Sequence, residues 1–230
     1  MDKKSLEAEI ASYIGKLLRN NFGKGPASVY VAIAEPFITV YLRDFLVPME
    51  RILLKQGNEL NIEQTRDLLM QELLPEIKST LRIKLDIANP DIYYDWDLDE
   101  RSGLFIVEMP DRTMKQQEEK LDYPGKEKLH QEISRFSQAV QKAPASIDSY
   151  LLNPRTLVTV RKDILVKIEK ELIDTGFIEP LKLAKRRLEK NGLNIKRVES
   201  ILDRQVENIF VDWDFDLDKG YIVFILKPYN

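Results

Sequence analysis

Residues 92–109 read IYYDWDLDERSGLFIVEM, and 117 positions later residues 209–226 read IFVDWDFDLDKGYIVFIL. No other feature constrains the fold as much, because a segment written twice implies one folding unit used twice. The echo extends upstream. Residues 24–36, KGPASVYVAIAEP, align with 142–154, KAPASIDSYLLNP, pairing Lys24 with Lys142, Pro26 with Pro144, Ser28 with Ser146 and Pro36 with Pro154. After a one-residue shift, 43–57 align with 162–176, where Asp44, Leu46, Val47, Glu50, Leu53 and Gly57 meet identical residues. Small changes of offset fall between elements, where loops absorb them. The chain is a tandem duplication.

Periodicity gives each copy the order α-β-β-α-α-β-β, an α+β unit with an antiparallel-rich sheet packed by helices. In the first copy Leu6, Ile10, Tyr13, Ile14, Leu17 and Leu18 recur at helical spacing, and Gly23 closes that helix. Strands follow over 29–33 and 37–42, then a short helix over 48–56 and a long one over 62–85, in which Pro75 predicts a kink or a break. The second copy's first helix is expected over 126–141. The first repeat is placed at 1–112 and the second at 126–230, with 113–125 as a polar linker rich in turn formers.

In the tryptophan segments alternate residues share a face. Ile92, Tyr94, Trp96 and Leu98 point one way, and Tyr93, Asp95, Asp97 and Asp99 the other; Trp213 stands likewise against Asp212, Asp214 and Asp216. The tryptophans are expected in the core and the aspartates in solvent, where charge on a strand also discourages edge-to-edge pairing. A cation site at Asp95, Asp97 and Asp99, or at Asp212, Asp214 and Asp216, is the alternative. The EF-hand glycine is missing, with Glu100 in its place after Asp95-x-Asp97-x-Asp99. Same-face carboxylates on a straight strand also stand about 7 Å apart, too far to converge on one ion. Gly103 and Gly220 are expected to close the two hairpins. The returning strands, LFIVEM and YIVFIL, are apolar at both parities, so cover on both faces is expected.

Composition narrows the function. Thirty-five basic residues against 38 acidic ones leave a net charge of -3, with no global pull toward nucleic acid or anionic lipid. The absence of cysteine excludes disulfides, thiolate metal sites and a cysteine nucleophile, and fits a cytoplasmic location. The first residues do not read as a signal peptide, and the longest apolar run, YIVFIL, is too short to cross a bilayer. His130 is the single histidine and is expected to be an exposed helix residue. No catalytic constellation or cofactor motif is found, so no catalytic residue and no cofactor are assigned.

Two segments remain as candidate anion or partner contacts. Lys24 and Gly25, in FGKGPASV, lie after a helix C-terminus instead of before an N-terminus, unlike a phosphate loop; Lys142 is their counterpart. The stretch 181–198 concentrates Lys185, Arg186, Arg187 and Lys190, with Leu181, Ala184 and Leu188 as an apolar stripe if it is helical. That face is a candidate for nucleic acid backbone or peripheral membrane contact, though no aromatic residue interleaves it.

The run LLRNNFGKGPASVYVAIAEPFITVYLRDFLVPMERIL (17–53), leading into a long helix and a terminal hairpin, resembles the MpsC-like family of bacterial domains, over residues 4–109 and more loosely in the second copy. The resemblance implies association with a sodium-translocating, membrane-potential-generating system, for which this chain would be an accessory part. The leading expectation is therefore a non-catalytic binding or regulatory module with a protein partner or self-association. A nucleic-acid-binding protein and a divalent-metal hydrolase are the alternatives.

Overall fold

The computed structural model describes residues 2–109 and 123–228. Residues 113–122 of the expected linker lie outside them. The chain divides into two compact units, Met1–Lys115 and Gln116–Asn230.

In the first unit α1 (Lys3–Phe22) leads into β1 (Ser28–Ala34) and β2 (Phe37–Arg43), α2 (Pro48–Lys55), α3 (Glu59–Leu85), β3 (Asp91–Asp97) and β4 (Ser102–Glu108). Gly23 ends α1 at φ 78°, a left-handed cap that costs glycine little. The β1–β2 hairpin turns through a cis Glu35–Pro36 bond. α3 runs through Pro75 as one helix, so the chain is not split there; Ile62, Met70, Leu73, Ile77 and Leu81 are buried along both halves.

The second unit begins with α4 (Lys126–Val140), followed by β5 (Ser146–Asn153), β6 (Thr156–Lys162), α5 (Lys167–Asp174) and α6 (Ile178–Gly192). An additional short helix, α7 (Ile195–Leu202), then precedes β7 (Val206–Asp214) and β8 (Lys219–Leu226). α7 exists because Asn194 caps it, accepting a hydrogen bond from the Arg197 N–H. The basic segment 181–198 is therefore split between two helices.

Each unit holds one four-stranded antiparallel sheet, in the orders β1-β2-β4-β3 and β5-β6-β8-β7. The helices cover one face. Beneath them Ile38, Val40, Leu42, Ile92, Tyr94, Trp96, Phe105 and Val107 form one core with Ile10, Ile14 and Leu18 of α1 and Met70 and Ile77 of α3. A separate core in the second unit gathers Leu129, Ile133 and Phe136 of α4 with Leu157, Val211, Trp213, Ile222 and Phe224. The other face is buried as well: Leu104, Ile106, Tyr221 and Val223 are as inaccessible as their neighbours of opposite parity. The expectation for the returning strands holds.

Cover on both faces corrects the reading of the aspartates. Asp95 and Asp212 are 1% and 2% exposed; Asp97 and Asp214 are half-buried, and only Asp99 and Asp216 lie in solvent. β3 and β7 are edge strands, whose outward N–H groups lack a ladder partner. The Trp96 N–H donates to Asp95 Oδ1 at 2.7 Å, and the Trp213 N–H to Asp212 Oδ1 at 2.9 Å. These two carboxylates serve the sheet edge instead of facing water.

The matched glycines also have another purpose than turn closure. Gly103 pairs with Trp96 and Gly220 with Trp213 across the ladder. A Cβ at Gly103 would sit 2.5 Å from Trp96 Cε3; one at Gly220 would sit 2.5 Å from Ile164 Cδ1 and 3.1 Å from Trp213 Cδ1. The left-handed turn residues are instead Arg101 and Asp218, at φ 52° and 49°.

Candidate functional site

Each core surrounds a buried cation beside its tryptophan. In the first unit Arg66 of α3 donates to Glu50 Oε2 of α2 at 2.7 Å, with both side chains nearly inaccessible. Glu50 also accepts the Val47 N–H at 2.9 Å, capping α2. The Arg66 guanidinium lies 4.1, 4.6 and 4.7 Å from the ring centres of Phe45, Phe22 and Trp96, a cation enclosed by π faces. Burial pushes the Arg66 pKa down and the Glu50 hydrogen bond pushes back.

The second unit repeats this arrangement with other residues. Glu169 caps α5 through the Val166 N–H at 2.8 Å and accepts from Lys185 Nζ at 2.6 Å. Lys185 lies 5.3 Å from the Trp213 ring and donates to Gln141. By the repeat register Glu50 matches Glu169, Arg66 matches Lys185 and Trp96 matches Trp213. The triad is common to both units, while its surroundings differ. Leu42 and Met70, both buried in the first core, are replaced by Arg161 and Glu189, which form a buried 2.5 Å ion pair. Glu189 also accepts from Trp213 Nε1 at 3.2 Å, and Arg161 donates to Ser137 at 3.2 Å.

This network explains why the basic segment departs from its expected pattern. On α6 the buried positions include Lys185, Arg186 and Glu189, whereas Leu188 is exposed together with Ala184. Lys182 reaches Asp212 at 3.0 Å, and Lys190 lies 5.8 Å from the Phe210 ring. Arg187 stays exposed. Lys185 and Glu189 face inward, where each meets an opposite charge, and of the expected apolar stripe Ala184 and Leu188 turn outward while Leu181 is buried.

Lys24 binds within its own unit. Its ammonium donates to Asp44 Oδ2 and to the carbonyls of Asp44 and Leu46, all at 3.1–3.2 Å. This ties the loop after α1 to the corner before α2. Lys142 contacts Asp163 at 2.8 Å in the same way. Gly25 is buried, its Cβ direction 3.0 Å from the Gly15 carbonyl. The Lys24 hydrogen bond, reinforced by Arg51 and Arg101, holds the Asp44 carboxyl below the usual range despite some desolvation.

The remaining aspartates do not converge. Asp97 accepts the Glu100 N–H and Asp214 the Leu217 N–H, each closing its hairpin turn. Among the described residues no group of three His, Asp or Glu side chains is placed to hold a metal ion. His130 is half-buried, not exposed as expected: its Nε2 shares a 2.6 Å hydrogen bond with Ser149 Oγ, which also pairs with the Tyr123 hydroxyl at 2.7 Å. Desolvation, then Lys126, lowers the His130 pKa, against weaker opposition from Asp148 and Glu127.

The triad itself escaped sequence reasoning. Its signal was present in the identity of Glu50 and Glu169 and in a cation recurring 16 residues after each, but a charge in an amphipathic helix is ordinarily assigned to solvent.

Fold and geometry thus define a tandem α+β protein in which each repeat is built around a tryptophan, a buried cation and a capping glutamate. The chain belongs to the MpsC family, described as Na+-translocating membrane potential-generating system (MpsC), which matches it twice, over residues 2–110 and 125–228. No curated protein and no solved structure matches the chain.

Proposed function

We propose that the chain is a non-catalytic binding or regulatory module, located in the cytoplasm and accessory to a membrane-potential-generating transport system, which it serves by contact with a protein partner. The observation that carries this reading is the family match across both repeats. A further fact gives it direction: no helix among the described residues is long and apolar enough to cross a membrane, so an accessory role suits these residues better than conduction through a helical path.

The ionisable side chains support the same reading. Glu50, Arg66, Glu169, Lys185, Arg161 and Glu189 are buried in mutual pairs, which is how charge is accommodated in a core. The nucleic-acid alternative called for a solvent-facing basic stripe, whereas Lys185 and Arg186 are inaccessible. The metal-hydrolase alternative called for converging aspartates, and these are spread between sheet edge, turn and solvent.

The test is deletion of the coding region in the source cell, with membrane potential read by a voltage-sensitive dye as external sodium is varied. Loss of the sodium-dependent component, restored by the intact chain, supports the role. An unchanged sodium response in the deletion strain overturns it.

A further inference from the structure

Three polar side chains of the second repeat join the turn ahead of α4 to the strand β5. Ser149 of β5 holds its Oγ 2.6 Å from His130 Nε2 on α4 and 2.7 Å from the Tyr123 hydroxyl. Tyr123 and Ser149 are 8% and 1% exposed, and His130 is half-buried. The turn that Tyr123 begins is seated elsewhere too. The Tyr123 carbonyl accepts the Lys126 N–H at 3.4 Å, and Gly125 is left-handed at φ 88°, with its Cβ direction only 2.6 Å from the Ile201 carbonyl of α7. By the repeat register Ser12 and Val31 stand in the first repeat where His130 and Ser149 stand in the second, so this arrangement belongs to the second repeat alone.

The direction of these bonds follows from the hydrogens present. A serine hydroxyl has one to give, a phenol is the better donor, and an unprotonated imidazole nitrogen is the better acceptor. With His130 neutral the bonds run from Tyr123 to Ser149 and from Ser149 to His130 Nε2, which leaves the imidazole hydrogen on Nδ1. A protonated imidazole carries hydrogen on both nitrogens and can only donate. Ser149 then accepts from His130 and turns its own hydrogen toward Tyr123, whose hydroxyl loses Ser149 as acceptor. The other course, a serine hydrogen left unbonded where water has no access, is costly as well.

We infer that Tyr123, Ser149 and His130 form a pH-operated latch, which holds the turn ahead of α4 while His130 is neutral and loosens it when protonation of His130 reverses the two hydrogen bonds. Lys126 and Glu127 of its own helix and Asp148 of β5 act on His130. The charges that α6 and α7 bring toward α4, Lys185, Glu189 and Arg197, are held by Glu169, Arg161 and Glu132. Desolvation, then Lys126, sets the folded pKa below the ordinary 6.5, so the latch is shut above pH 6.5 and opens as pH falls through the lower folded value. This device is independent of which system the protein serves.

The test is an NMR titration of the full chain from pH 7.5 to 5, reading the imidazole nitrogens of His130, the ring of Tyr123 and the exchange protection of the Lys126 amide, corrected for the intrinsic pH dependence of exchange. At pH 7.5 the His130 nitrogen shifts should report the Nδ1–H form. On acidification the Tyr123 ring should move with the midpoint of His130 itself, and Lys126 should lose protection by about tenfold or more, as expected for one buried hydroxyl deprived of its acceptor. In Ser149→Ala, His130 should still titrate while Tyr123 and Lys126 no longer follow it. Tyr123→Phe keeps the ring and removes the hydroxyl, and should likewise abolish the acid response at Lys126. Amides of the first repeat, which has Ser12 and Val31 at these positions, should not follow the midpoint in any variant. An Nε2–H form at pH 7.5, a Tyr123 midpoint unrelated to that of His130, or a Tyr123 response that survives Ser149→Ala overturns the latch.

Discussion

At the scale of single residues, opposite Trp96 and Trp213 nothing larger than hydrogen fits without movement. Gly103→Ala would drive its new methyl against the face of the indole, 2.5 Å from Cε3, and overpacking of this kind costs about 1–3 kcal/mol. Trp96→Ala removes the ring itself and should cost about 3–5 kcal/mol; chemical denaturation of both variants checks the order. His130 adds a pH dependence whose sign follows from its burial. Its folded pKa lies below its ordinary value, so the unfolded chain binds the proton more tightly. The stabilising contribution of neutral His130 is full above pH 6.5, the ordinary value, and is lost as pH falls from there through the folded pKa. The groups facing it, Lys126 repelling and Asp148 and Glu127 attracting, do not reverse this direction. Thermal melts of wild type and His130→Gln between pH 7.5 and 5 should therefore converge toward acid as the wild type loses more of its stability, whereas parallel curves would contradict the assignment.

Among elements, the duplication contains its own mutational experiment. Leu42 and Met70 fill in the first core the positions that Arg161 and Glu189 fill in the second, and both cores close. Removing one partner of a fully buried pair strands the other, at about 3–5 kcal/mol, whereas replacing both with well-packed apolar residues is often neutral or stabilising. Arg161→Leu and Glu189→Met should each destabilise by that amount and the double variant should recover most of it, as a double-mutant cycle in urea would show. The same exchange explains what could be read in advance. The strand and helix order of the first repeat, its two hairpins and the inward tryptophans follow from turn signals and from periods of two and 3.6, whereas the β2–β4 pairing and α7 do not. α6 does not obey these periods, because Lys185, Arg186 and Glu189 point into the core. Pairing of charges across 16 to 28 residues is a tertiary fact, invisible to local pattern. Asp95 escaped for a related reason: alternation predicts which face a residue takes, not whether that face is covered.

For the whole molecule, the two helix-packed cores share no residue, one being drawn from Ile10–Met109 and the other from Tyr123–Leu226. Cooperative unfolding follows shared packing, so a lesion confined to one core should be felt chiefly in the unit that contains it. Glu189→Ala is the suitable lesion, since it leaves Arg161 buried without its carboxylate and withdraws the acceptor of the Trp213 Nε1–H. Native-state hydrogen exchange of the full chain reads both units at once. Amides of β6, β7 and β8 should lose about 3–5 kcal/mol of protection, while those of β2, β3 and β4 change by no more than about 0.5 kcal/mol, the limit expected for independent sites. Equal loss in both sheets would mean that the repeats unfold as one cooperative body despite their separate cores. The reciprocal lesion sharpens the distinction, for Glu50→Ala strands Arg66 among Phe22, Phe45 and Trp96 and should reverse the pattern, stripping protection from β2, β3 and β4 and sparing β6, β7 and β8.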